Sequence, residues 1–242
     1  MDRQQVLFQD LGNKRYQPVW DYQEELLASN VKVKTLKYQG TIAADADTQH
    51  HLLFVEHPPV YTLGKSGKIE NVLIDEQERV KRGLEFFKIN RGGDITFHGP
   101  GQLVAYPIFD LEKFYTDIGR YLRNLEEVII KTLEDYGIKG DRSKGETGVW
   151  IDPLVKGRER KICAIGVRCS RWITMHGLAF NINTDLDYFN NIIPCGIQDK
   201  QVTSLQKELG ANMNMEEVKE KVKNYFSEIF EVEIVERSTA LL

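Results

Sequence analysis

The chain has 242 residues, and its 32 Lys and Arg against 36 Asp and Glu give a formal net charge of −4. Apolar residues make up 41%, too many for a disordered chain, and no apolar run reaches the ~18 residues that span a bilayer. The mild acidity argues against a nucleic-acid binder, and the N-terminus has no apolar signal core. We therefore expect a cytoplasmic protein that contacts neither membrane nor nucleic acid.

Hydrophobic periodicity predicts three helices, at 18–29, 118–136 and 215–230. Asp117 and Asn214 stand at N-cap positions before the last two, and Gly137 follows 118–136 as a stop signal. Other apolar runs are short, rich in β-branched and aromatic residues and separated by Gly or Pro. They predict strands at 6–9, 52–56, 60–63, 86–90, 103–109, 148–151, 161–168, 172–183 and 232–235.

The order of these elements indicates the fold class. Strands outnumber helices and do not alternate with them regularly, which favours an α+β fold with a mixed, largely antiparallel sheet flanked by helices. The strands 161–168 and 172–183 are predicted to form a hairpin. No linker composition divides the chain, so we expect one domain over 1–242, with residues 210–242 as a C-terminal helix–strand appendage.

A glycine-rich segment, RGGDITFHGPGQ at 91–102, lies between the predicted strands 86–90 and 103–109. Glycines let backbone N–H groups approach a ligand closely, so this segment can hold a carbonyl, a carboxylate or a phosphate. It matches neither GxGxxG nor GxxxxGK[ST], which disfavours a dinucleotide fold or a P-loop. A purely structural hairpin is the alternative.

The three cysteines have different surroundings. Cys195 is flanked by Pro194 and Gly196, which predicts a tight turn where a thiol can meet substrate. Cys163 lies among apolar residues and Cys169 at a strand end, and both are expected to be inert. Their spacing fits neither a disulfide framework nor a CxxC metal pattern, and we predict no metal site.

A thiol with an ordinary pKa of ~8.5 needs a nearby cation or base to become a nucleophile. Lys161, His98 and His176 are the candidates for that helper, and spacing alone does not choose among them. Lys65 and Lys68, within GKSGK, are either contacts for an acidic partner or phosphate, or side chains of a solvated loop.

Four stretches together resemble the lipoyl(octanoyl) transferase family, in the family's order. They are EHPPVYTLGKSGKIENVL (56–73), RGGDITFHGPGQLVAYPIFDL (91–111), the segment from GVW to NIN (148–183) and PCGIQDKQVTSL (194–205). The resemblance implies the fold of the biotin and lipoate protein ligases. It also implies octanoyl transfer from octanoyl-acyl carrier protein to a lysine of lipoyl domains, in 2-oxoacid dehydrogenase complexes and the glycine cleavage H protein. No cofactor is implied beyond the phosphopantetheine that the donor carries.

The resemblance also implies residue roles. Cys195 matches the nucleophile that carries the octanoyl group as a thioester, and Lys161 matches the lysine that lowers its pKa. The positions that match substrate-binding segments are Arg91, Gly92, Gly93, Asp94, Ile95, Thr96, Phe97, His98, Ala164, Ile165, Gly166, Gly177, Leu178 and Ala179.

Three other functions stay open. An ATP-dependent lipoate or biotin ligase of the same fold would form an acyl-adenylate and need no cysteine. A cysteine hydrolase would pair Cys195 with His98 or His176, and an inactive module would only bind acyl carriers or lipoyl domains.

Some segments depart from the family pattern. The stretch 42–51 is longer, the tip 152–160 is highly charged, and the tail from Leu209 carries no known motif. Because acyl carrier proteins are acidic, we expect positive charge at the pocket mouth from Lys65, Lys68 and 156–161.

Overall fold

The computed structural model describes residues 3–43, 45–193 and 201–237. The helices are α1 (Tyr16–Tyr38), α2 (Glu76–Lys81), α3 (Ile118–Glu134), α4 (Leu205–Leu209) and α5 (Met215–Ile229). The strands are β1 (Gln4–Asn13), β2 (His50–Glu56), β3 (Val60–Leu63), β4 (Glu85–Lys88), β5 (Ile95–His98), β6 (Gln102–Ile108), β7 (Gly140–Asp141), β8 (Val149–Ile151), β9 (Arg160–Ser170), β10 (Ile173–Asn181), β11 (Gln201–Val202) and β12 (Val232–Glu236). Within these ranges, none of the helices is both long and apolar enough to cross a membrane.

The strands form a large sheet and a small one. The large sheet has the order β12-β1-β2-β6-β10-β9-β8-β7, with β11 paired to β9, and the small sheet has the order β4-β3-β5. In the large sheet β1 runs parallel to β12 and β2, and β11 runs parallel to β9, whereas the other neighbours are antiparallel. The predicted hairpin of 161–168 and 172–183 is the pair β9–β10.

Helices cover both faces of the large sheet, which explains why its central strands are apolar throughout. On β2, Leu52 and Phe54 face the core under α3 and α5, while Leu53 and Val55 face the core under α1. All four side chains are 0% exposed. A strand buried on both sides loses the alternation of polar and apolar residues, as strand 52–56 does.

The predicted helix ends are confirmed for α3 and α5. The Asp117 carboxylate accepts a hydrogen bond from the Arg120 N–H, and the Asn214 side chain accepts from the first turn of α5. Gly137 has φ +70°, the left-handed conformation that ends a helix.

Helix α1 runs well beyond the predicted 18–29, to Tyr38. Its second half is held by polar contacts, which hydrophobic periodicity does not detect. Asn30 exchanges two 2.8 Å hydrogen bonds with the backbone of Gln49, and Lys34 forms a 2.9 Å ion pair with buried Asp110.

Several short elements were not predicted: β5, β7, β11, α2 and α4. Strand β5 lies inside the glycine-rich segment, where it pairs with β3. The segment 210–237 packs into the main body of the molecule, because β12 pairs with β1 and the apolar face of α5 joins the core under the sheet. Residues 238–242 lie outside the described residues.

Candidate active site

A cavity of about 590 Å³ lies where β9 and β10 meet the glycine-rich segment. Its walls come from the start of α1, the segment after β4 with the following β5, the strands β6, β9, β10 and β11, the first turns of α3, the loop before β8, and Phe189. Both apolar side chains and buried polar groups line it.

Small residues form the floor of the cavity. In the β9–β10 register Ala164 lies opposite Ala179, and Gly166 lies opposite Gly177. A Cβ atom on Gly177 would collide with a backbone carbonyl oxygen of β6, and one on Gly166 would lie 2.8 Å from a carbonyl oxygen of the glycine-rich segment. The two glycines let these segments pack closely, and Ala164 and Ala179 present only methyl groups to the cavity.

Lys161 reaches the cavity because β9 has a bulge beside β8. The register shifts between Val149, which pairs with Cys163, and Trp150, which pairs with Lys161. Ile162 and Cys163 are consequently both buried in the core under α3, and Lys161 lines the cavity. β-Bulges next to functional sites commonly change the direction in which a side chain points.

The Lys161 ammonium lies 4.6 Å from the centroid of the Trp150 ring, within the range of a cation–π contact. The aliphatic part of the side chain passes Gly148, where an added Cβ would lie 3.5 Å from the lysine Cε. These contacts fix the direction of the lysine stem.

Arg91 forms a buried cationic wall of the cavity, with 8% of its surface exposed. Its Nη2 donates to the carbonyl oxygen of Thr62 at 2.7 Å and to the Thr62 hydroxyl at 3.1 Å. The neighbouring Gly92 N–H donates to the carbonyl oxygen of Val167 at 2.9 Å. The glycine-rich segment is thereby tied to both β3 and β9.

A chain of hydrogen bonds connects this segment with the backbone of Lys161. The Gln102 amide nitrogen donates to Asn181 Oδ1 at 2.9 Å, so its oxygen accepts from His98 Nδ1 at 2.8 Å. Asn181 Nδ2 donates to the Thr203 carbonyl at 3.0 Å, and the Thr203 N–H donates to the Lys161 carbonyl at 2.9 Å. The chain holds β11 beside Lys161.

The two histidines at the cavity stay neutral at physiological pH. Burial is the main reason that the pKa values of His98 and His176 both fall to about 3. A base of this strength accepts a proton from a thiol poorly. Of the three sequence-predicted helpers for a cysteine, the two histidines are thus neutral, and the third, Lys161, also lines the cavity.

Cys195 lies outside the described residues, between Ile193 and Gln201. The described residues on either side of that gap approach the cavity, because Phe189 and Val202 both line it. Val202 is also the β11 residue paired with Lys161.

The other two cysteines occupy unreactive surroundings. Cys163 is 0% exposed, and burial raises the pKa of its thiol far above the usual range. Burial also raises the pKa of Cys169, near the end of β9. A thiol with a raised pKa is a weak nucleophile, in agreement with the inert roles expected for both.

Comparison with known proteins places the chain in a family. Residues 10–227 match the model of the lipoyl protein ligase A/B catalytic domain. The chain belongs to this family. It is 55% identical to the octanoyltransferase of Christiangramia forsetii, over 95% of this chain and 97% of that protein. The octanoyltransferase of Flavobacterium johnsoniae is also 55% identical, over 95% of this chain and 98% of that protein. These relatives confirm the prediction of an octanoyltransferase that acts in protein lipoylation.

Solved structures of the family show the same fold. A putative lipoate protein ligase from T. acidophilum with bound lipoic acid superposes with a TM-score of 0.67 at 15% identity, covering 98% of this chain and 89% of that one. A lipoate-protein ligase A bound with ATP gives the same TM-score, identity and coverage. The predicted α+β ligase-like fold is therefore confirmed.

The structure of this lipoyl ligase family member brings nearly all predicted binding residues together. Residues 91–96, His98, 164–166 and 177–179 line this cavity, as Lys161 does. Phe97 instead stacks on Tyr188, with ring centroids 4.6 Å apart, in the core of the small sheet. Alternation along β5 sends Phe97 to the face opposite its neighbours.

Other cavity residues were missed by the sequence prediction. Asn181 and Tyr106 stand inside family-like stretches, and their polar side chains within apolar strands were the available signal. Ile118 and Leu122 were assigned only to a helix stripe. Tyr16, at the start of α1, has no sequence signal. The remaining missed residues are Val104, Gly145, Glu146, Thr147, Val167, Phe189 and Val202.

The lysines expected at the pocket mouth are exposed, and the charged tip is largely paired. Lys65, Lys68 and Lys156 are exposed, and the Lys65 N–H donates to the Arg91 carbonyl, next to the cavity. Within the tip, Arg160 forms 2.7 Å ion pairs with Asp152 and with Glu208 of α4. Those charges therefore hold α4 to the tip.

Proposed function

We propose that the enzyme takes its octanoyl group from octanoyl-acyl carrier protein and passes it to the ε-amine of a lysine on a lipoyl domain, with Cys195 as the acyl carrier between the two. The observation that carries this proposal is the meeting of Lys161, the glycine-rich segment and both flanks of the Cys195 segment at one cavity. The family name and the relatives' names support the lipoyl and octanoyl groups.

The first half-reaction is a thioester exchange. The Cys195 thiolate attacks the octanoyl carbonyl, a new C–S bond forms, and the bond to the phosphopantetheine sulfur breaks. The departing thiolate takes up the proton that Cys195 gave up. One thioester replaces another, so the step needs no ATP and no cofactor apart from the donor's own arm.

The second half-reaction forms an amide. The ε-amine of the acceptor lysine attacks the acyl-enzyme, its C–N bond forms and the C–S bond to Cys195 breaks. The proton of the amine passes to Lys161, which is a neutral amine after giving its own proton to the departing phosphopantetheine thiol, and Cys195 leaves as a thiolate. Splitting the transfer in this way is the usual benefit of covalent catalysis and predicts ping-pong kinetics. Lys161, as an ammonium, stabilises the thiolate by charge, and backbone N–H groups of the glycine-rich segment are suited to an oxyanion.

The cavity provides binding energy for the acyl chain. Its small-residue floor leaves room for methylene groups, each of which contributes about 0.8 kcal/mol on burial. We place the reaction in the reducing cytoplasm, because a thiol that accepts acyl groups must stay unoxidised.

Intact mass spectrometry tests the nucleophile. Octanoyl-carrier protein mixed with the enzyme should add one octanoyl group, and a lipoyl domain added afterwards should remove it. Cys195→Ser should abolish the adduct, whereas Cys169→Ser should keep it. A full-yield adduct on Cys195→Ser overturns the assignment, and free octanoate as the main product would favour a hydrolase. Dependence on ATP and Mg²⁺ would favour a ligase.

The role of Lys161 is tested by the alkylation rate of Cys195 between pH 6 and 9. Lys161→Ala should move the pH midpoint upward, because the thiolate loses its ammonium partner. Lys156→Ala is the control. It removes an exposed charge five residues before Lys161 in the sequence, so the pH midpoint should not change. A midpoint that is equal in Lys161→Ala and wild type contradicts the role.

A further inference from the structure

One wall of the cavity carries a tyrosine hydroxyl group. Tyr16 lines the cavity and is 1% exposed. Among the residues that the structure describes, its hydroxyl has no hydrogen-bond partner. Buried polar groups in proteins are almost always satisfied, so this hydroxyl needs a partner inside the cavity, either water or ligand.

The position of that hydroxyl is rigid. The Tyr16 ring stacks on Phe87 and His98, with centroids 5.3 Å and 6.1 Å away, and meets the edge of His57 at 5.2 Å. Burial is the main cause that lowers the pKa of His57 to about 4 and that of His98 to about 3. These contacts hold the Tyr16 ring in place between uncharged groups, and the charge that acts on its hydroxyl is the Arg91 guanidinium.

The hydroxyl group of the neighbouring Tyr106 already donates a hydrogen bond. His57 Nδ1 lies 2.7 Å from the Lys14 carbonyl oxygen, which can only accept, so Nε2 accepts from the Tyr106 hydroxyl at 2.9 Å. The hydrogen of Tyr106 therefore points away from the cavity, whereas the hydroxyl of Tyr16 is available to a group inside it.

Lys161 on β9 and Tyr16, which packs on His57 beside Tyr106 of β6, both line the cavity. Its floor passes from Ala164 on β9 to Ala179 on β10 and Val104 on β6, in direct register. Two strand spacings amount to about 10 Å, comparable with an extended octanoyl chain. An acyl chain whose carbonyl lies beside Lys161 thus ends near the tyrosine.

From this arrangement we propose that the Tyr16 hydroxyl is the polar end wall of the acyl cavity and limits the chain to about eight carbons. The inference rests on the proposed function for the direction of the chain. A longer chain would displace water from the hydroxyl and bury it without a partner, which cancels the gain from extra methylene groups. Tyr16 is in this view a specificity-determining residue.

The test is calorimetric binding of octanoate, decanoate and dodecanoate to the full chain. In Tyr16→Phe, the affinity for decanoate relative to octanoate should rise about tenfold over wild type, because the added methylenes meet an apolar edge. Phenylalanine keeps the ring contacts, so the variant should fold. Tyr121→Phe is the matched control, since Tyr121 is fully buried in the core under α3; its ratio should equal that of wild type.

A decanoate-to-octanoate ratio in Tyr16→Phe within twofold of wild type overturns the proposal. An equal rise of this ratio in Tyr121→Phe also overturns the proposal, because it would indicate that the whole molecule has become less tightly packed. Free acids bind without Cys195 chemistry, so this outcome is independent of the acyl-enzyme experiment. Failure of that experiment would remove the proposed function, whereas an unchanged ratio would remove only the role of Tyr16.

Discussion

At the scale of single residues, the site depends on where side chains are absent as much as on where they are present. Gly177 lets β6 approach β10, and Gly166 lets the glycine-rich segment approach β9. The resemblance predicted both glycines as substrate-binding positions, and the structure shows why these positions are glycine. Gly177 has no room for a Cβ atom, because a carbonyl oxygen of β6 occupies the space.

The first prediction concerns this close approach. Gly177→Ala should lower the free energy of unfolding by about 2–3 kcal/mol, since either β6 or β10 must move. The control is Gly119→Ala, on the first turn of α3, where the nearest atom to an added Cβ is the N-cap oxygen Oδ1 of Asp117 at 3.2 Å rather than a backbone carbonyl. That variant should change stability by less than about 1 kcal/mol. Equal effects in urea unfolding would contradict the explanation.

At the scale of secondary-structure elements, an irregular strand directs the chemistry. Strict alternation along β9 would place Lys161 and Cys163 on the same face. The bulge beside β8 separates them, so the cysteine enters the core and the lysine enters the cavity. No periodicity in the sequence indicates this bulge, because it depends on how β8 and the preceding loop pack against α3.

That packing rests on Glu126, which is 0% exposed on the inner face of α3. Its carboxylate accepts from the Gly148 N–H at 3.0 Å and from Arg142 Nε at 2.9 Å. It also pairs with Arg123 at 2.8 Å. The contacts hold the loop before β8, and hence Gly148, against the lysine stem.

A second prediction follows for Glu126→Ala. It should destabilise the protein by about 2–3 kcal/mol, because the buried Gly148 N–H loses its acceptor and two arginines lose their partner. It should also slow octanoyl transfer. Glu127→Ala is the matched control on the same helix: Glu127 pairs with Arg142 but is 33% exposed, so its loss should cost less than about 1 kcal/mol. Equal losses in both variants, measured by urea unfolding, would contradict a special role for Glu126.

At the scale of the whole molecule, the chain buries all five of its histidines. Burial is the main cause that lowers the pKa of His50, His51 and His57 to about 4. The pKa values of His98 and His176 fall further, to about 3. In the unfolded chain each histidine titrates near 6.5.

The third prediction is a steep loss of stability in acid. Below about pH 6.5 the unfolded state binds protons that the folded state excludes, so the free energy of unfolding falls as pH drops towards 4. Each histidine should remove about 2 kcal/mol by pH 5. Near pH 5, unfolding should take up about five protons, and about four in His51→Gln. A free energy of unfolding that stays constant from pH 7 to 5 would contradict the buried, neutral histidines.

The large features of this protein could be predicted from its sequence. The stripes of α3 and α5, their caps, the β9–β10 hairpin and the residues of the cavity floor follow local rules or a family resemblance. Short elements such as β11 and α4 were not predicted, because a segment of two to five residues is too short to show a hydrophobic periodicity. Helix α1 was predicted too short, because polar contacts with distant segments extend it.

The sequence by itself determined which groups are available: one cysteine between Pro and Gly, one lysine opening an apolar strand, and a glycine-rich segment beside them. Only the tertiary structure decided how these groups face one another. The bulge turned Lys161 towards the cavity, alternation on β5 turned Phe97 away, and α1 brought Tyr16 to the cavity wall. Such choices depend on packing between segments far apart in the chain, which local propensities do not encode.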